Sequence, residues 1–289
     1  MEIDSSIYVA GHRGLVGSAI QRILKRKGYK NIITRTRSEL ELLDSVSVKK
    51  FFSEVKPKYV FLAAAKVGGI YANNKFPADF IRENIVVQTN IIHESWKNGV
   101  EKLLFLGSSC IYPKLCPQPI KEEYLLSGEL ESTNDAYAIA KIAGIKTCQS
   151  YNKQYGTKFI SVMPSNLYGE NDNFHPENSH VLPALIRKFH LAKKTNAKSV
   201  IVWGTGGARR EFLHSDDLAE GVIFLMDNYF GDEIINIGFG EDQTILELAE
   251  IIRDVIGYNG KLIFDPSQPD GTPRKILDSS KIFSLGWKP

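Results

Sequence analysis

The feature that most constrains the fold lies near the start of the chain, at residues 7–27. A short apolar run, IYVA at 7–10, leads into three glycines at positions 11, 14 and 17, and an amphipathic stretch occupies 18–27. This order predicts a strand, a glycine turn and the N-terminus of a helix. A diphosphate can approach the backbone N–H groups of such a turn and the positive end of the helix dipole. Although the spacing is G-x-x-G-x-x-G, this context predicts a dinucleotide site.

The end of the second predicted strand, residues 31–34, indicates which dinucleotide binds. NAD sites usually place a carboxylate here for the ribose 2′-hydroxyl. This chain instead has Arg35 and Arg37, and Arg13 lies in the glycine turn. A guanidinium pairs with a 2′-phosphate, so NADP(H) is favoured. The alternative is that these arginines are solvated charges of a turn.

Predicted strands and helices alternate along the chain. The strands are 59–65, 102–106 and 158–162, and the helices are 85–97 and 136–155. The pattern predicts an α/β fold, a doubly wound parallel Rossmann sheet with a smaller C-terminal substrate domain. We expect residues 1–165 to form the NADP-binding domain and 166–289 to be mainly the substrate domain, with the chain crossing back near 210–237. Ligands of such sheets lie beyond the carboxyl ends of the strands, and the residues predicted there are Gly11, Ala63, Ser108 and Pro164.

Composition excludes several classes of protein. A net charge of +3 with scattered basic residues does not indicate nucleic-acid binding. Three cysteines without C-x-x-C spacing favour a reduced, cytoplasmic location. The chain has neither an apolar leader nor a run of 18 apolar residues, so secretion and membrane insertion are not predicted. No metal site is predicted.

Tyr137 and Lys141 stand four residues apart on a predicted helix, so they share one face. We expect the ammonium to lower the pKa of the phenol and to contact the cofactor ribose, which makes Tyr137 a proton donor. Tyr71 and Lys75 have the same spacing but lie in a predicted loop. Tyr137 is preferred because its helix follows a strand that leads to Ser108, whose hydroxyl can hold a substrate oxygen.

Seven segments carry a family resemblance. They are AGHRGLVGSAI, LAAAKVGGI, FLGSSCIYPK, YAIAKIAGIK, NFHPENSHVLPALIRK, REFLH and PDGTPRK. Together they resemble the GDP-L-fucose synthase family of the extended short-chain dehydrogenase/reductase superfamily, over nearly the whole chain. The family usually continues past Pro289 with a further helix, and we expect that segment to hold no catalytic residue.

The resemblance implies NADPH-dependent 3,5-epimerisation and 4-reduction of GDP-4-keto-6-deoxy-mannose to GDP-L-fucose. It implies that Cys110 and His180 exchange protons at C3 and C5, and that Tyr137, Ser108 and Lys141 serve the reduction. A packed core thiol and a structural histidine are the alternatives for the first two. The implied cofactor contacts are Gly11, His12, Arg13, Gly14, Leu15, Val16, Gly17, Arg37, Ala63, Ala64, Lys141, Pro164, Asn166, Leu167 and His180. The implied GDP-sugar contacts are Lys188, Trp203 and Arg210, for which a solvated charge or a core position is the alternative.

Other functions are weighed against this one. Dehydratases of the superfamily carry an acidic pair after the active-site hydroxyl, where this chain has Ser109 and Cys110. An NADP-binding sensor has no need for the full set of catalytic residues. The nearest rival is a reductase that acts only at C4 of a related GDP-4-keto sugar such as a heptose. Superfamily members commonly pair two helices across a two-fold axis, which here predicts a homodimer through 85–97 and 136–155.

Overall fold

The computed structural model describes residues 1–176, 178–268 and 270–289. Two of the resembling segments therefore contain one residue each, Glu177 and Pro269, outside the described residues. The strands are β1 (Ile7–Ala10), β2 (Ile32–Ile33), β3 (Tyr59–Leu62), β4 (Lys102–Leu106), β5 (Phe159–Pro164), β6 (Asn166–Tyr168), β7 (Ser199–Trp203), β8 (Arg209–His214), β9 (Ile235–Ile237), β10 (Asp242–Thr244), β11 (Lys261–Asp265) and β12 (Arg274–Lys275). The helices are α1 (Leu15–Arg26), α2 (Ser45–Val55), α3 (Ile70–Lys75), α4 (Pro77–Lys97), α5 (Asp135–Tyr155), α6 (Val181–Lys194), α7 (Ser215–Asn228), α8 (Ile245–Ile256) and α9 (Ser280–Ser284).

Six parallel strands form the main sheet, in the order β2-β1-β3-β4-β5-β9. Every residue of β1, β3, β4 and β5 is buried, because helices cover both faces of the sheet. One core cluster joins the sheet to α1 and α7, and another joins it to α2, α4 and α5. The predicted doubly wound parallel sheet is confirmed.

The later part of the chain builds smaller sheets at the carboxyl edge of the main one. Strand β8 lies between β10 and β12 and also pairs with β6, while β7 pairs with β11. Helices α6 and α8 bury a third apolar cluster against β7 and β11. Helix α7 packs on α1, and β9 joins the main sheet beside β5. The division into a nucleotide domain and a substrate domain remains a prediction.

Some predicted elements were wrong. Residues 70–75 form the short helix α3 rather than a loop, and Lys75 Nζ lies 3.0 Å from the Tyr71 hydroxyl on its exposed surface. Helix α4 begins at Pro77 rather than residue 85, since proline at the first helical position costs no intrahelical hydrogen bond. Strand β3 ends at Leu62 rather than 65. In the described part of the chain, no helix is long and apolar enough to cross a membrane.

Candidate active site

The glycine turn between β1 and α1 packs directly against the chain that leaves β3. Gly11 has φ +84°, and a Cβ there would lie 2.8 Å from Ala64 Cα. A Cβ on Gly17 would lie 2.2 Å from the carbonyl oxygen of Gly11. Larger residues cannot occupy either position without moving the backbone, so these two glycines serve the close packing of the turn.

Gly14 serves a different purpose, because a Cβ there would meet only the Gly11 carbonyl oxygen, at an ordinary 3.6 Å. Gly14 is the N-cap residue of α1, and no described side chain caps the first turn. A helix N-terminus of this kind has N–H groups free to bind an anion. The absence of a side chain at Gly14 leaves the approach open, so this cradle fits a dinucleotide diphosphate.

The arginines predicted to bind a 2′-phosphate lie around the end of β2. Arg37 is exposed and its Nε donates to Glu41 Oε2 at 2.7 Å. Arg13 and Arg35 both lie near Glu39, whose pKa is lowered first by hydrogen bonds from Thr36 and then by these two charges. Glu39 is thus a shared neighbour of Arg13 and Arg35, whereas Arg37 pairs with Glu41. Burial lowers the pKa of the neighbouring His12, and the charge of Arg13 lowers it further.

The remaining predicted cofactor residues lie where strands end. Ala63 follows β3 and its N–H donates to the Ala10 carbonyl at 3.1 Å. Pro164 is the last residue of β5, and Asn166 and Leu167 belong to β6. Leu15 and Val16 begin α1. Because β1, β3, β4 and β5 are parallel, these positions lie at the carboxyl edge of the main sheet, where the glycine turn also lies.

Cys110 lies just beyond β4, in a single 3₁₀ turn whose N-cap is Ser108. The Ser108 hydroxyl accepts a hydrogen bond from the Cys110 N–H at 3.2 Å. Lys275 Nζ and Asn134 Nδ2 each lie 3.5 Å from Cys110 Sγ. Burial acts to raise the pKa of the thiol, but the charges of Lys275 and Arg210 and the contact with Ser108 outweigh it, so the pKa is lowered.

Lys275 is not among the site residues predicted from the sequence, although it lies within the PDGTPRK segment. It is 165 positions from Cys110 along the chain, and no periodic pattern connects two such distant residues. The available signal was two adjacent basic residues after a single stretch that contains Gly271 and Pro273. In the fold, β12 pairs with β8, and Lys275 Nζ lies 3.5 Å from Cys110 Sγ.

Tyr137 and Lys141 lie on one face of α5, as predicted, but their electrostatics differ from the prediction. Lys141 Nζ donates to the Leu106 carbonyl at 2.8 Å and lies 5.7 Å from the centre of the Tyr137 ring. Burial lowers the pKa of Lys141 to about 7. Burial, with a smaller contribution from Cys110, raises the pKa of Tyr137. The predicted lowering of the phenol's pKa is therefore wrong for this structure, because desolvation outweighs an ammonium that faces a carbonyl.

His180 is the N-cap residue of α6; the residue is open to solvent, although protein atoms surround its ring. Surrounding protein atoms lower its pKa by desolvation, and the charge of Lys275 lowers it further. The backbone just before it is held by the loop after β3, because the Gly69 N–H donates to the Asn178 carbonyl at 3.0 Å. Lys275 is thus a charged neighbour of both Cys110 and His180.

The three predicted GDP-sugar residues lie on separate elements. Lys188 of α6 donates to the Ile201 carbonyl at 3.0 Å, and its Nζ lies 5.2 Å from the centre of the Trp203 ring. Trp203, at the end of β7, is 48% exposed, so it is not a core residue. Arg210 Nη2 donates to the Asp270 carbonyl at 3.1 Å, and its charge also acts on Cys110.

Comparisons with known proteins agree with this geometry. Residues 7–238 match the model of the NAD dependent epimerase/dehydratase family. GDP-L-fucose synthase 1 of Arabidopsis thaliana is 62% identical over 286 residues, which cover 99% of this chain and 88% of that protein. GDP-L-fucose synthase of Escherichia coli is 56% identical over an alignment of 292 positions, which covers 97% of this chain and 90% of that protein. The NADP-bound GDP-mannoheptose C4 reductase of Campylobacter jejuni is 45% identical with a TM-score of 0.92, covering 100% of this chain and 94% of that one.

These matches extend over nearly all of the chain, and they include the strand ends at which the site is built. The resemblance to GDP-L-fucose synthases that the sequence predicts is confirmed by the two relatives that share more than half of their residues with it. The chain belongs to the NAD dependent epimerase/dehydratase family.

Proposed function

We propose that this chain is an NADPH-dependent enzyme that inverts C3 and C5 of GDP-4-keto-6-deoxy-mannose and reduces C4, giving GDP-L-fucose. The observation that carries the proposal is the thiol of Cys110, which lies 3.5 Å from Lys275 Nζ and is close enough to act on Tyr137, while the charge of Lys275 also acts on His180. Similar proteins named GDP-L-fucose synthase are 62% and 56% identical, against 45% for a heptose C4 reductase. Reduction at C4 alone is therefore the less favoured alternative.

Inversion requires two groups, because one must remove a proton beside the carbonyl and another must return one to the opposite face. Hydrogens at C3 and C5 flank the 4-keto group and are acidic. Cys110 is suited to be the base, since Lys275 favours its thiolate. The resemblance assigns the acid to His180; its lowered pKa makes the protonated ring a stronger donor but the minor form near neutral pH, so the ring must take up a proton before it donates one.

Reduction follows in the same pocket. When bound, NADPH supplies the hydride that is added to C4. Tyr137 then donates a proton to the C4 oxygen, and its raised pKa keeps the phenol protonated at neutral pH until that oxygen becomes basic. The Ser108 hydroxyl would hold the same oxygen, and Lys141, which donates to the Leu106 carbonyl in this structure, would also donate to the cofactor ribose.

Binding of the two nucleotides is divided between the two ends of the site. The cradle at Gly14 takes the cofactor diphosphate, and Arg13 and Arg37 take the 2′-phosphate. Arg210 and Lys188 offset the charge of the GDP diphosphate, with Trp203 beside Lys188. In this scheme residues 1–165 hold NADP(H) and 166–289 mainly hold the sugar nucleotide.

We further propose a homodimer through α4 and α5, and a cytoplasmic location in which the free thiols stay reduced. Helix α5 exposes Ile139 and Tyr155, and the Tyr155 ring stacks on Trp96 of α4 at 4.1 Å. An exposed apolar surface across two adjacent helices supports pairing of two copies. Light scattering at micromolar concentration tests this, and a monomer would contradict it.

The function is tested by incubating the protein with GDP-4-keto-6-deoxy-mannose in D₂O, with and without NADPH. We expect deuterium at the carbons beside the keto group without NADPH, and GDP-L-fucose with it. Cys110→Ser should lose this exchange, since a hydroxyl's pKa lies far above that of a thiol. Reduction of the uninverted sugar should survive, so the product should shift towards a non-inverted sugar.

The matched control is Cys116→Ser, which removes a half-buried thiol without a proposed role. It should retain both exchange and reduction. Exchange at the wild-type rate in Cys110→Ser would remove the thiol from the mechanism. A wild-type protein that reduces the sugar without any exchange would instead favour the C4-only alternative.

A further inference from the structure

Glu211, in the middle of β8, is a completely buried carboxylate with 0% exposure. Backbone N–H groups, rather than a salt bridge within the described chain, satisfy its oxygens. Gly240 N–H donates to Oε1 at 2.7 Å, Leu277 N–H donates to Oε2 at 3.0 Å, and the N–H of Phe239 also contributes. A Cβ on Gly238 would lie 2.2 Å from Oε1, so the glycine leaves room for the carboxylate. Glu211 therefore ties β8 to two other segments of the chain.

One of these segments carries Lys275. Strand β12 has only two residues, and it pairs with β8 so that Lys275 stands opposite Arg210. Two residues later, Leu277 gives its N–H to Glu211. On the other side, the Ile120 N–H donates to the Ile276 carbonyl, and the Ile120 carbonyl accepts from the Asp278 N–H, both at 2.8 Å. A strand this short depends on such flanking hydrogen bonds for its position.

The position of β12 matters because Lys275 acts on the thiol over a short distance. Its Nζ lies 3.5 Å from Cys110 Sγ. The titratable groups that face the thiol from other elements include Arg210 of β8 and Tyr137 of α5. Coulomb attraction falls with separation, and water enters when a contact opens. A displacement of β12 by an ångström or two would weaken the Lys275 contact more than the others.

We propose that Glu211 is a positioning residue: its carboxylate fixes the segment after β12 so that the Lys275 ammonium stays against the Cys110 thiol. The inference deepens the proposed role of Cys110 as a base. It assigns the glutamate no contact with substrate or cofactor. Two acceptor oxygens are required, because two N–H groups from different segments converge on them; a glutamine would turn an NH₂ group towards one of those donors.

The test measures the thiol directly, in protein without substrate. Alkylation of Cys110 by iodoacetamide is followed against pH, and peptide mass spectrometry separates it from Cys116 and Cys148. Glu211→Gln should move the midpoint of the profile upward by about one pH unit, which lowers the rate at pH 7 about tenfold. Lys275→Met should move it at least as far, and in the double variant Glu211→Gln should add no further shift.

The control is Glu94→Gln, which alters a buried carboxylate of α4 that accepts a hydrogen bond from Asn98 at 3.1 Å and has no link to β12. It should leave the alkylation profile unchanged even if it lowers the melting temperature. Circular dichroism identifies any variant that does not fold. If Glu211→Gln does not fold, Glu211→Asp is the second variant. It keeps both carboxylate oxygens on a side chain that is one methylene shorter, and it should shift the profile in the same direction.

An unchanged profile in a folded Glu211 variant would overturn the inference. An equal shift from Glu211→Gln in the wild-type and Lys275→Met backgrounds would also overturn it, because the glutamate would then act independently of the lysine. Failure of the proposed enzyme function is a separate outcome, seen as absent deuterium exchange in the wild-type protein. The alkylation profile does not depend on that result.

Discussion

Replacing Lys141 with methionine should make the protein without cofactor more stable while abolishing its reductase activity. Lys141 is 3% exposed, and its ammonium has the Leu106 carbonyl as hydrogen-bond partner and aromatic rings on two sides. Burial lowers its pKa from 10.5 to about 7. Each unit of pKa corresponds to about 1.4 kcal/mol, so holding the charged form in the folded state costs up to about 5 kcal/mol.

Methionine removes this cost but also removes the charged hydrogen bond to Leu106, which stabilises the fold by about 2 kcal/mol. The net gain expected at pH 6 is therefore about 2–3 kcal/mol in the free energy of unfolding. Below pH 7 both folded and unfolded wild-type protein carry the proton, and the full cost is present. Between pH 7 and 10 only the unfolded state binds it, so wild-type stability rises with pH and the advantage of Lys141→Met shrinks.

Urea denaturation of both proteins from pH 6 to 9.5 measures this difference. Lys146→Met is the matched control, since Lys146 lies on the exposed side of the same helix and donates to Gln149. Its stability relative to wild type should not vary with pH. A Lys141→Met protein that is less stable at pH 6, or whose advantage is the same at pH 6 and 9.5, would refute the reasoning.

Three further predictions concern the cofactor and the proton donor. Tyr137→Phe should lower the rate of C4 reduction by about 10²–10⁴ with NADPH still bound, whereas Tyr71→Phe should be silent; steady-state rates and NADPH fluorescence separate rate from binding. Arg37→Ala should weaken NADPH by about 1.5–3 kcal/mol more than NADH, and equal losses in titrations of the two cofactors would contradict 2′-phosphate recognition. Gly14→Ala should fold normally but bind NADPH poorly, because its Cβ obstructs only the cradle, whereas Gly17→Ala should also lower the melting temperature.

Several parts of the fold could be predicted from short stretches of sequence. Strands β1 and β4 were predicted with the bounds they have, because each contains an uninterrupted apolar run of four residues, which is typical of strands buried on both faces of a parallel sheet. The face shared by Tyr137 and Lys141 follows from helical spacing alone. The glycine turn was equally local, since strand, turn and helix are adjacent in the chain.

Other parts followed only from the resemblance to a family. A lone Cys110 and a lone His180 are not distinguished by spacing or periodicity from a core thiol and a surface histidine. The same holds for Lys188 and Trp203, which come from a helix and a strand yet lie 5.2 Å apart. Their assignment as site residues stays a prediction.

The sequence by itself determined strands such as β1 and β4 and the strand, glycine turn and helix at the start of the chain, because those depend on sterics and burial within about 20 consecutive residues. The tertiary structure alone decided the chemistry of the pocket. Lys275 reaches Cys110 because the fold pairs β12 with β8 and anchors the segment that follows β12, and the pKa of Tyr137 is raised rather than lowered because packing removes water from the phenol. A protonation state is the sum over all neighbours that the fold assembles, and those neighbours come from distant parts of the chain.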